Sequence, residues 1–439
     1  MLHPPLPPVR RSTLAAAMAI VVWSPLVARP SAAQAPCNRV CEAAKRDANG
    51  CCPEVRSTPS RPAPASTASA ASTAAAAKAA EDARDWPQAF TLYTQGCSSG
   101  VATSCAGLGV LYLEGSGVNK DDGRAFTLLS QACDGGAPRG CAGLGTIYAT
   151  GRGVTKDEAR GVALYTRACD AGWAKGCVRL GWMYASGLGI SRDPARAAAL
   201  FKGGCDAGLG TGCTSIGILY GSGKGVNKDE ATAVAFLTRG CDGGDPRGCA
   251  LLGDAYRSGG VVPKDEARAA ALYMRSCNAD DALGCTSLGY LYEVGKGVSI
   301  DLVRAASLYQ KGCTGGDLGA CASLGFEYLN GRGVVKDEVR GAALCKQACD
   351  GNAVSGCDRL GILYRDGTAV AKDDIRAAAL FKQACDANFA RGCSNLGFMY
   401  ESGRGVAMNR ASAVGLYRQA CKAAYEYGCV QLKRLGEQP

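Results

Sequence analysis

Ten pairs of cysteines run down this chain with a single spacing inside each pair and a single spacing between pairs. Cys97 and Cys105 stand eight residues apart. The arrangement returns 36 residues later each time: Cys133 and Cys141, Cys169 and Cys177, Cys205 and Cys213, Cys241 and Cys249, Cys277 and Cys285, Cys313 and Cys321, Cys349 and Cys357, Cys385 and Cys393, Cys421 and Cys429. Tyrosine keeps the same interval at Tyr112, Tyr148, Tyr184, Tyr220, Tyr256, Tyr292, Tyr328, Tyr364 and Tyr400. A fixed period between about 20 and 50 residues marks a solenoid, in which each unit buries its apolar face only by stacking on the next.

Each unit reads as two short helices. In residues 140–169 the first helix, A, starts near Cys141 and carries Leu144 and Tyr148 one turn apart on one face. Gly151 and Gly153 stop it by supplying a left-handed turn. Asp157 caps the second helix, B, with Glu158 in its positive first turn. Asp193-Pro194 in a later copy fits, because proline is tolerated at the first helical position. Helix B carries Leu164 and Tyr165 and ends near Cys169. No stretch alternates with period two over a useful length, so the fold class is all-α: a solenoid of about ten 36-residue antiparallel hairpins.

Each cysteine pair then joins the last turn of one B helix to the first turn of the next A helix, where a Cα separation near 5.5–6 Å is expected. Cys141 has a competing partner, Cys169 of its own hairpin. Loop entropy does not choose between them, since the short and long loops give about 2.5 and 3.5 kcal/mol. Parity does: the long pairing orphans Cys97 and Cys429, whereas the short one closes all ten. Short, glycine-containing helices are marginal alone, so such staples have a clear use. A metal site is disfavoured by the lack of CxxC and of partner histidines, and no cofactor is expected. Of 25 cysteines, four form an N-terminal cluster and one, Cys345, stands at a helix B position held elsewhere by Leu129, Tyr165, Phe201, Tyr273 or Phe381. It reads as a small buried core residue.

Disulfides on this scale require an oxidising compartment. Arg10-Arg11, an apolar run from Leu14 to Val22 and Ala33-Gln34-Ala35 form a secretory signal peptide over residues 1–35, with a weak hint of twin-arginine export. An exported location follows, with no membrane span after cleavage. The only histidine, His3, lies in this segment, which removes every histidine-based catalytic scheme from the mature chain. Residues 36–52 hold the cluster Cys37, Cys41, Cys51 and Cys52, read as two bridges between the first and second pair. Residues 53–77 are rich in Pro, Ser, Thr and Ala and read as a flexible linker, with the repeats filling residues 78–439. The formal charge is +10, of which Arg10, Arg11 and Arg29 account for three, leaving a dispersed +7. No basic block with interleaved aromatics exists, so nucleic acid is not the expected partner.

The pattern Leu144-Gly145, Tyr148, Gly151-x-Gly153-Val154, Lys156-Asp157, Leu164, recurring about ten times, resembles the Sel-one-like repeat, a relative of the tetratricopeptide repeat. With Cys-x7-Cys added it is similar to the Hcp family of cysteine-rich secreted bacterial proteins. The resemblance covers roughly residues 80–436. It implies a right-handed superhelix of stapled hairpins that acts as an adaptor for proteins or peptides and, together with the signal peptide, a bacterial periplasmic or secreted location. It also carries an alternative, because some Hcp members are described as penicillin-binding proteins or slow β-lactamases. That alternative makes a cell-wall component or a β-lactam a candidate ligand. No Ser lies three residues before any Lys, so the serine β-lactamase signature is missing. The Gly-x-Gly loops lack the preceding strand of a phosphate site and are helix stops. An interaction scaffold is therefore the expected function, and no catalytic residue is assigned.

Numbering each A helix from its cysteine as zero, positions 0, 3, 4 and 7 are expected to face the core, with position 6 packing on a neighbour. Positions 1, 5 and 8 share a variable flank, and related solenoids line their concave side with this helix. The expected anchors there are Trp182, Tyr290, Phe326 and Phe398, with Asp254, Arg257, Glu293 and Arg365 setting charge preference.

Overall fold

The computed structural model describes residues 67–438, and all regular structure among these residues is helical. The chain divides at Ser72/Thr73, and the helical stack is the second unit. In chain order the helices are α1 (Thr67–Asp82), α2 (Trp86–Ser98), α3 (Ala102–Glu114), α4 (Asp122–Asp134), α5 (Pro138–Thr150), α6 (Glu158–Asp170), α7 (Ala174–Ser186), α8 (Pro194–Asp206), α9 (Gly210–Ser222), α10 (Glu230–Asp242), α11 (Pro246–Ser258), α12 (Glu266–Asn278), α13 (Ala282–Val294), α14 (Leu302–Thr314), α15 (Leu318–Asn330), α16 (Glu338–Asp350), α17 (Val354–Asp366), α18 (Asp374–Asp386), α19 (Ala390–Ser402), α20 (Arg410–Lys422) and α21 (Glu426–Arg434). From α3 onward odd helices are A and even helices are B. The signal segment and the N-terminal cysteine cluster lie outside the described residues. The reading of residues 53–77 as linker meets α1, which already begins at Thr67. The last proline of that stretch is Pro64. The alanine-rich run after it holds the strongest helix former and no breaker.

The boundaries follow from capping chemistry. B helices open on an aspartate whose carboxylate accepts the amide three residues on, as Asp157 does from Arg160 and Asp301 from Arg304; Asn409 does the same in α20. A helices close on glycine in the left-handed region, such as Gly151 at φ 74° and Gly331 at φ 66°. They begin three residues before the cysteine, earlier than the spacing implied. Only three residues, 171–173, separate α6 from α7.

Ten disulfides bridge these junctions. Cys97 bonds to Cys105, Cys133 to Cys141, Cys169 to Cys177, Cys205 to Cys213 and Cys241 to Cys249. The row continues with Cys277 to Cys285, Cys313 to Cys321, Cys349 to Cys357, Cys385 to Cys393 and Cys421 to Cys429. The pairing is the short one within each Cys-x7-Cys. The distance differs from expectation: the Cα separations are 4.4–4.7 Å, at the short end of what disulfides adopt and below the commonest value of about 5.5–6 Å. The reason lies in the starts of the A helices. Cys105, Cys141, Cys177, Cys213, Cys249, Cys285, Cys321, Cys357, Cys393 and Cys429 each sit a full turn inside their helix rather than at its first residue, so the two helices are already packed side by side where the sulfurs meet.

The core is a row of rings and glycines. A bulky B-helix side chain, such as Tyr273, Tyr309, Phe381 or Tyr417, is fully buried. It lies against the position 4 glycine of its own A helix. A Cβ on Gly361 would stand 2.7 Å from the Phe381 ring, and one on Gly253 2.7 Å from Tyr273. Position 6 completes the core, with Leu111, Ile147, Leu291 and Met399 at 0–1% exposure. The position 7 tyrosines were expected there too, yet all but Tyr292 are half-buried. Seven of the nine rings instead meet an arginine in the first turn of B: Arg160 lies 5.1 Å from the Tyr148 centroid, and Arg304 donates to the Tyr292 hydroxyl at 3.0 Å, whereas Tyr220 stacks on Phe236. They tie A to B at the surface of the hairpin. Several successive A helices touch, namely α3 with α5, α5 with α7, α9 with α11, α11 with α13 and α15 with α17, whereas successive B helices make no comparable contact. The A layer is the tighter one, as the inner side of a bending stack must be.

Two outcomes check this account. Replacing Cys205 and Cys213 together by alanine is expected to lower unfolding free energy by about 2.5 kcal/mol, the entropy of an eight-residue loop, measured by urea titration of circular dichroism. Gly361→Ala gains about 1 kcal/mol of helix propensity. It also drives a methyl into a ring that has nowhere to go, at roughly 1–3 kcal/mol, so the urea midpoint falls.

Candidate functional site

The buried B-helix rings decide what the inner face of the A helices presents. Where the ring is tyrosine, it passes the position 4 glycine and its hydroxyl emerges on the A flank. Tyr165 donates to Thr146 Oγ1 at 3.0 Å, Tyr273 to Asp254 Oδ1 at 2.7 Å, Tyr309 to Glu293 Oε2 at 2.6 Å and Tyr417 to Glu401 Oε2 at 2.8 Å. Burial and these carboxylates push the Tyr273, Tyr309 and Tyr417 hydroxyls above their ordinary pKa, so each stays a donor. Where the ring is Phe201, no hydroxyl emerges and Trp182 lies over it, centroids 5.3 Å apart.

The eight expected residues are thus brought to one face but not to one state. Trp182 and Tyr290 are the open anchors, at 48% and 41% exposure. Phe326 is half-buried between two guanidiniums, Arg359 at 4.3 Å and Arg332 at 5.4 Å, and Phe398 is half-buried with Arg404 at 6.0 Å. The charges are engaged. Arg257 Nε donates to the Tyr273 hydroxyl at 3.1 Å and its Nη2 to Asp254 at 3.3 Å. Glu293 pairs with Arg332 at 3.2 Å, and Arg365 grips Asp366 at 2.7 and 2.9 Å.

The flank itself needs correction. Position 1 is buried, with Ala106, Val178, Thr214, Ala250 and Asp358 at 0–5% exposure. It meets the small residue before the B-helix cysteine, as Thr214 meets Gly240 and Thr286 meets Gly312. Position 8 is half-buried where it carries charge. The exposed stripe runs through positions −2, 2, 5 and 9, which in α7 are Lys175, Arg179, Trp182 and Ser186.

Sequence reasoning passed over a charged cluster in α15–α19. Asp358, at 0% exposure, accepts from Arg391 Nε at 2.5 Å and Asn395 Nδ2 at 2.8 Å, linking two A helices. Glu327 occupies position 6, apolar in other copies, and is 1% exposed with both oxygens lacking a hydrogen-bond partner. Burial, and the charge of Glu293 beside it, push its carboxyl up to about 7. Arg332 is 3.6 Å away. Arg359 Nε is also buried without a partner, and its burial lowers its pKa. The signal was available: Glu327 and Asp358 each break the residue type of their column. Cys345 is buried and unpaired, and burial pushes its thiol up to about 11, which leaves it inert.

Nine consecutive segments match the Sel1 repeat: residues 102–136, 138–173, 174–209, 211–245, 246–281, 282–317, 319–352, 354–389 and 390–425. No curated protein matches the chain. Similar solved structures include a protective antigen of uropathogenic Escherichia coli strains displaying an SLR fold, 25% identical over 79% of this chain and 82% of that one, with a TM-score of 0.47. A Sel1 repeat protein from Oxalobacter formigenes is 23% identical over 72% of this chain and 92% of its own, at 0.46. Cysteine-rich protein B of Helicobacter pylori is 31% identical over 30% of this chain and 96% of its own, at 0.26.

Glu327 makes stability depend on pH with a definite sign. The folded state holds this proton more tightly than the unfolded chain, whose carboxyl titrates near 4.5. Its contribution is therefore most favourable below about pH 4.5 and is lost as pH rises through about 7. Glu327→Gln is expected to match the parent in urea midpoint at the acid end. Near pH 8 it should exceed it, by roughly 1–3 kcal/mol.

Proposed function

The chain belongs to the Sel1 repeat family, and from that premise we propose that it is an exported scaffold holding a protein or peptide partner on the inner face of its A helices. The observation that carries the reading is the exposed stripe itself. Trp182 and Tyr290 stand open on successive parts of one face, each on a helix packed rigidly over a buried ring. Large rigid aromatics that lose little entropy on contact are what recognition surfaces concentrate. Sel1 repeat proteins generally hold protein partners, which accords with this arrangement. Ten disulfides fit an oxidising, extracytoplasmic setting, and no helix among the described residues is long and apolar enough to cross a membrane. We read the chain further as one of the cysteine-rich Hcp type, because every repeat carries its own Cys-x7-Cys staple.

The test compares two faces of one protein. Three oxidised forms are immobilised: the parent, the double variant Trp182→Ala with Tyr290→Ala, and the double variant Val339→Ala with Ile375→Ala. Each is used to capture proteins from the extracytoplasmic fraction of a producing cell. The last pair sits on B helices and is 73% and 72% exposed. A partner retained by the parent and the B-face variant but lost from the A-face variant is the expected result. The converse pattern would overturn the reading.

A further inference from the structure

We propose that the A-helix face of α7, α9 and α11 docks an extended, acidic polypeptide segment, with Lys175 and Arg179 receiving its carboxylates beside the indole of Trp182. This rests on the inner-face reading above and adds the chemistry of the partner.

Lys175, Arg179 and Trp182 follow one another at spacings of four and three on one face of α7, and all three are exposed. Two like charges at that spacing repel and destabilise the helix that carries them. Elsewhere on this face such a cost is offset internally. Arg139 pairs with Glu81 at 2.6 Å, Arg257 with Asp254 at 3.3 Å, Arg332 with Glu293 at 3.2 Å, and Asp358 with Arg391 at 2.5 Å. Lys175 and Arg179 have no ion pair, hydrogen bond or ring contact among the described residues. The carboxylate that feels Lys175 and the two at α11 are already committed. Asp82, which senses the charge of Lys175, is held by Lys78. Asp254 serves Tyr273 and Arg257. Asp245 caps α11 by accepting from the Arg247 amide. The Arg247 side chain is a third exposed cation without an ion pair, at position −2 of α11. Between them α9 offers only uncharged groups, with Ile218 37% exposed at position 5. The result is an apolar strip, Trp182 and Ile218, flanked by positive charge that the fold leaves uncompensated.

An extended chain advances about 3.3 Å per residue, so carboxylates two to four residues apart span the roughly 8–10 Å between packed helices. An acidic segment can therefore place neighbouring carboxylates on Lys175 and Arg179 with its apolar residues on the indole, and one running on past the uncharged α9 reaches Arg247 two repeats away. The chain's own leader does not fit. Residues 36–66 carry five cations (Arg39, Lys45, Arg46, Arg56, Arg61) against three carboxylates (Glu42, Asp47, Glu54).

The full-length oxidised protein is titrated, by fluorescence anisotropy, with a labelled peptide alternating glutamate with leucine and glycine. Versions with glutamine or lysine replacing glutamate are titrated in parallel. The glutamate peptide is expected to bind, to weaken with salt, and to lose at least about tenfold in affinity in Arg179→Glu and Lys175→Glu. Arg179→Lys is expected to retain it, as is Lys224→Glu, whose site is an exposed A–B loop. Circular dichroism confirms that each variant is folded. Glutamine and glutamate peptides that bind equally and are both lost in Trp182→Ala would overturn the acidic preference and leave the inner face as the binding surface. Binding lost in Lys224→Glu but not in Trp182→Ala would overturn both. If none of the peptides binds, the acidic docking falls while the capture experiment still decides the broader reading. Sedimentation of the protein alone tests the remaining occupant, a second copy: self-association abolished by Arg179→Glu would replace the peptide with an interface between two solenoids.

Discussion

A disulfide closes each three-residue junction between hairpins, and its effect is geometric as well as energetic. With the last turn of B and the first turn of A held at a Cα separation of 4.4–4.7 Å, the next A helix has little freedom in where it starts. Thirteen-residue helices with glycine in their cores could not hold that register by propensity. Once the junction is set, the B-helix ring falls opposite the position 4 glycine, and the two layers close without a gap for a side chain. At the stapled junction itself the close approach falls on the glycine before the A-helix cysteine: a Cβ on Gly356 would stand 2.5 Å from the Ala348 side chain and 2.8 Å from the Cys349 amide nitrogen.

The inner face inherits its variety from this core. A tyrosine ring delivers a hydroxyl to the flank and meets an acceptor there, a carboxylate at Asp254, Glu293 and Glu401 and a hydroxyl at Thr146. Phe201 delivers none and is roofed by Trp182. Cys345 supplies neither ring nor hydroxyl. In that hairpin the flank is Phe326 and Leu329, and Arg359 from the following A helix lies over Phe326. The choice of one buried residue per repeat thus sets whether the surface above it is acidic, aromatic or cationic. Buried and exposed positions are linked through a single side chain, so the face varies without disturbing the stack.

The architecture was legible because its signals are periodic and covalent. Spacing, parity, the Asp157-type caps and the Gly151-type stops each specify local geometry that neighbouring repeats reinforce. The flank was less legible. A 3.6-residue wheel places position 1 beside 5 and 8, but it cannot know that the neighbouring B helix ends in glycine or alanine and takes position 1 into the core. The regular tyrosine clock invited a core reading, and only the arginine twelve residues on shows that the ring is a surface tie. Asp358 and Glu327 were visible as exceptions in their columns, yet Asp358 pairs with Arg391 of the next repeat, and Glu327 feels the charge of Glu293 from the preceding one. Pairing between repeats is tertiary information that a repeat-by-repeat reading does not contain.

In a stack where each unit touches only its neighbours, an unfavourable charge is felt locally and is removed unless something local offsets it. From Asp254 onward the inner face obeys that rule: nearly every cation there has a carboxylate, and the network runs across repeats through Glu293, Asp358 and Glu401. The stretch around Trp182 departs from it. Beyond the weak attraction of Lys175 for the exposed Asp82, the repulsion between Lys175 and Arg179 has no offset within the fold. That imbalance beside the open indole of Trp182 is the ground on which the proposed docking face is placed on the early A helices rather than on the self-paired later ones.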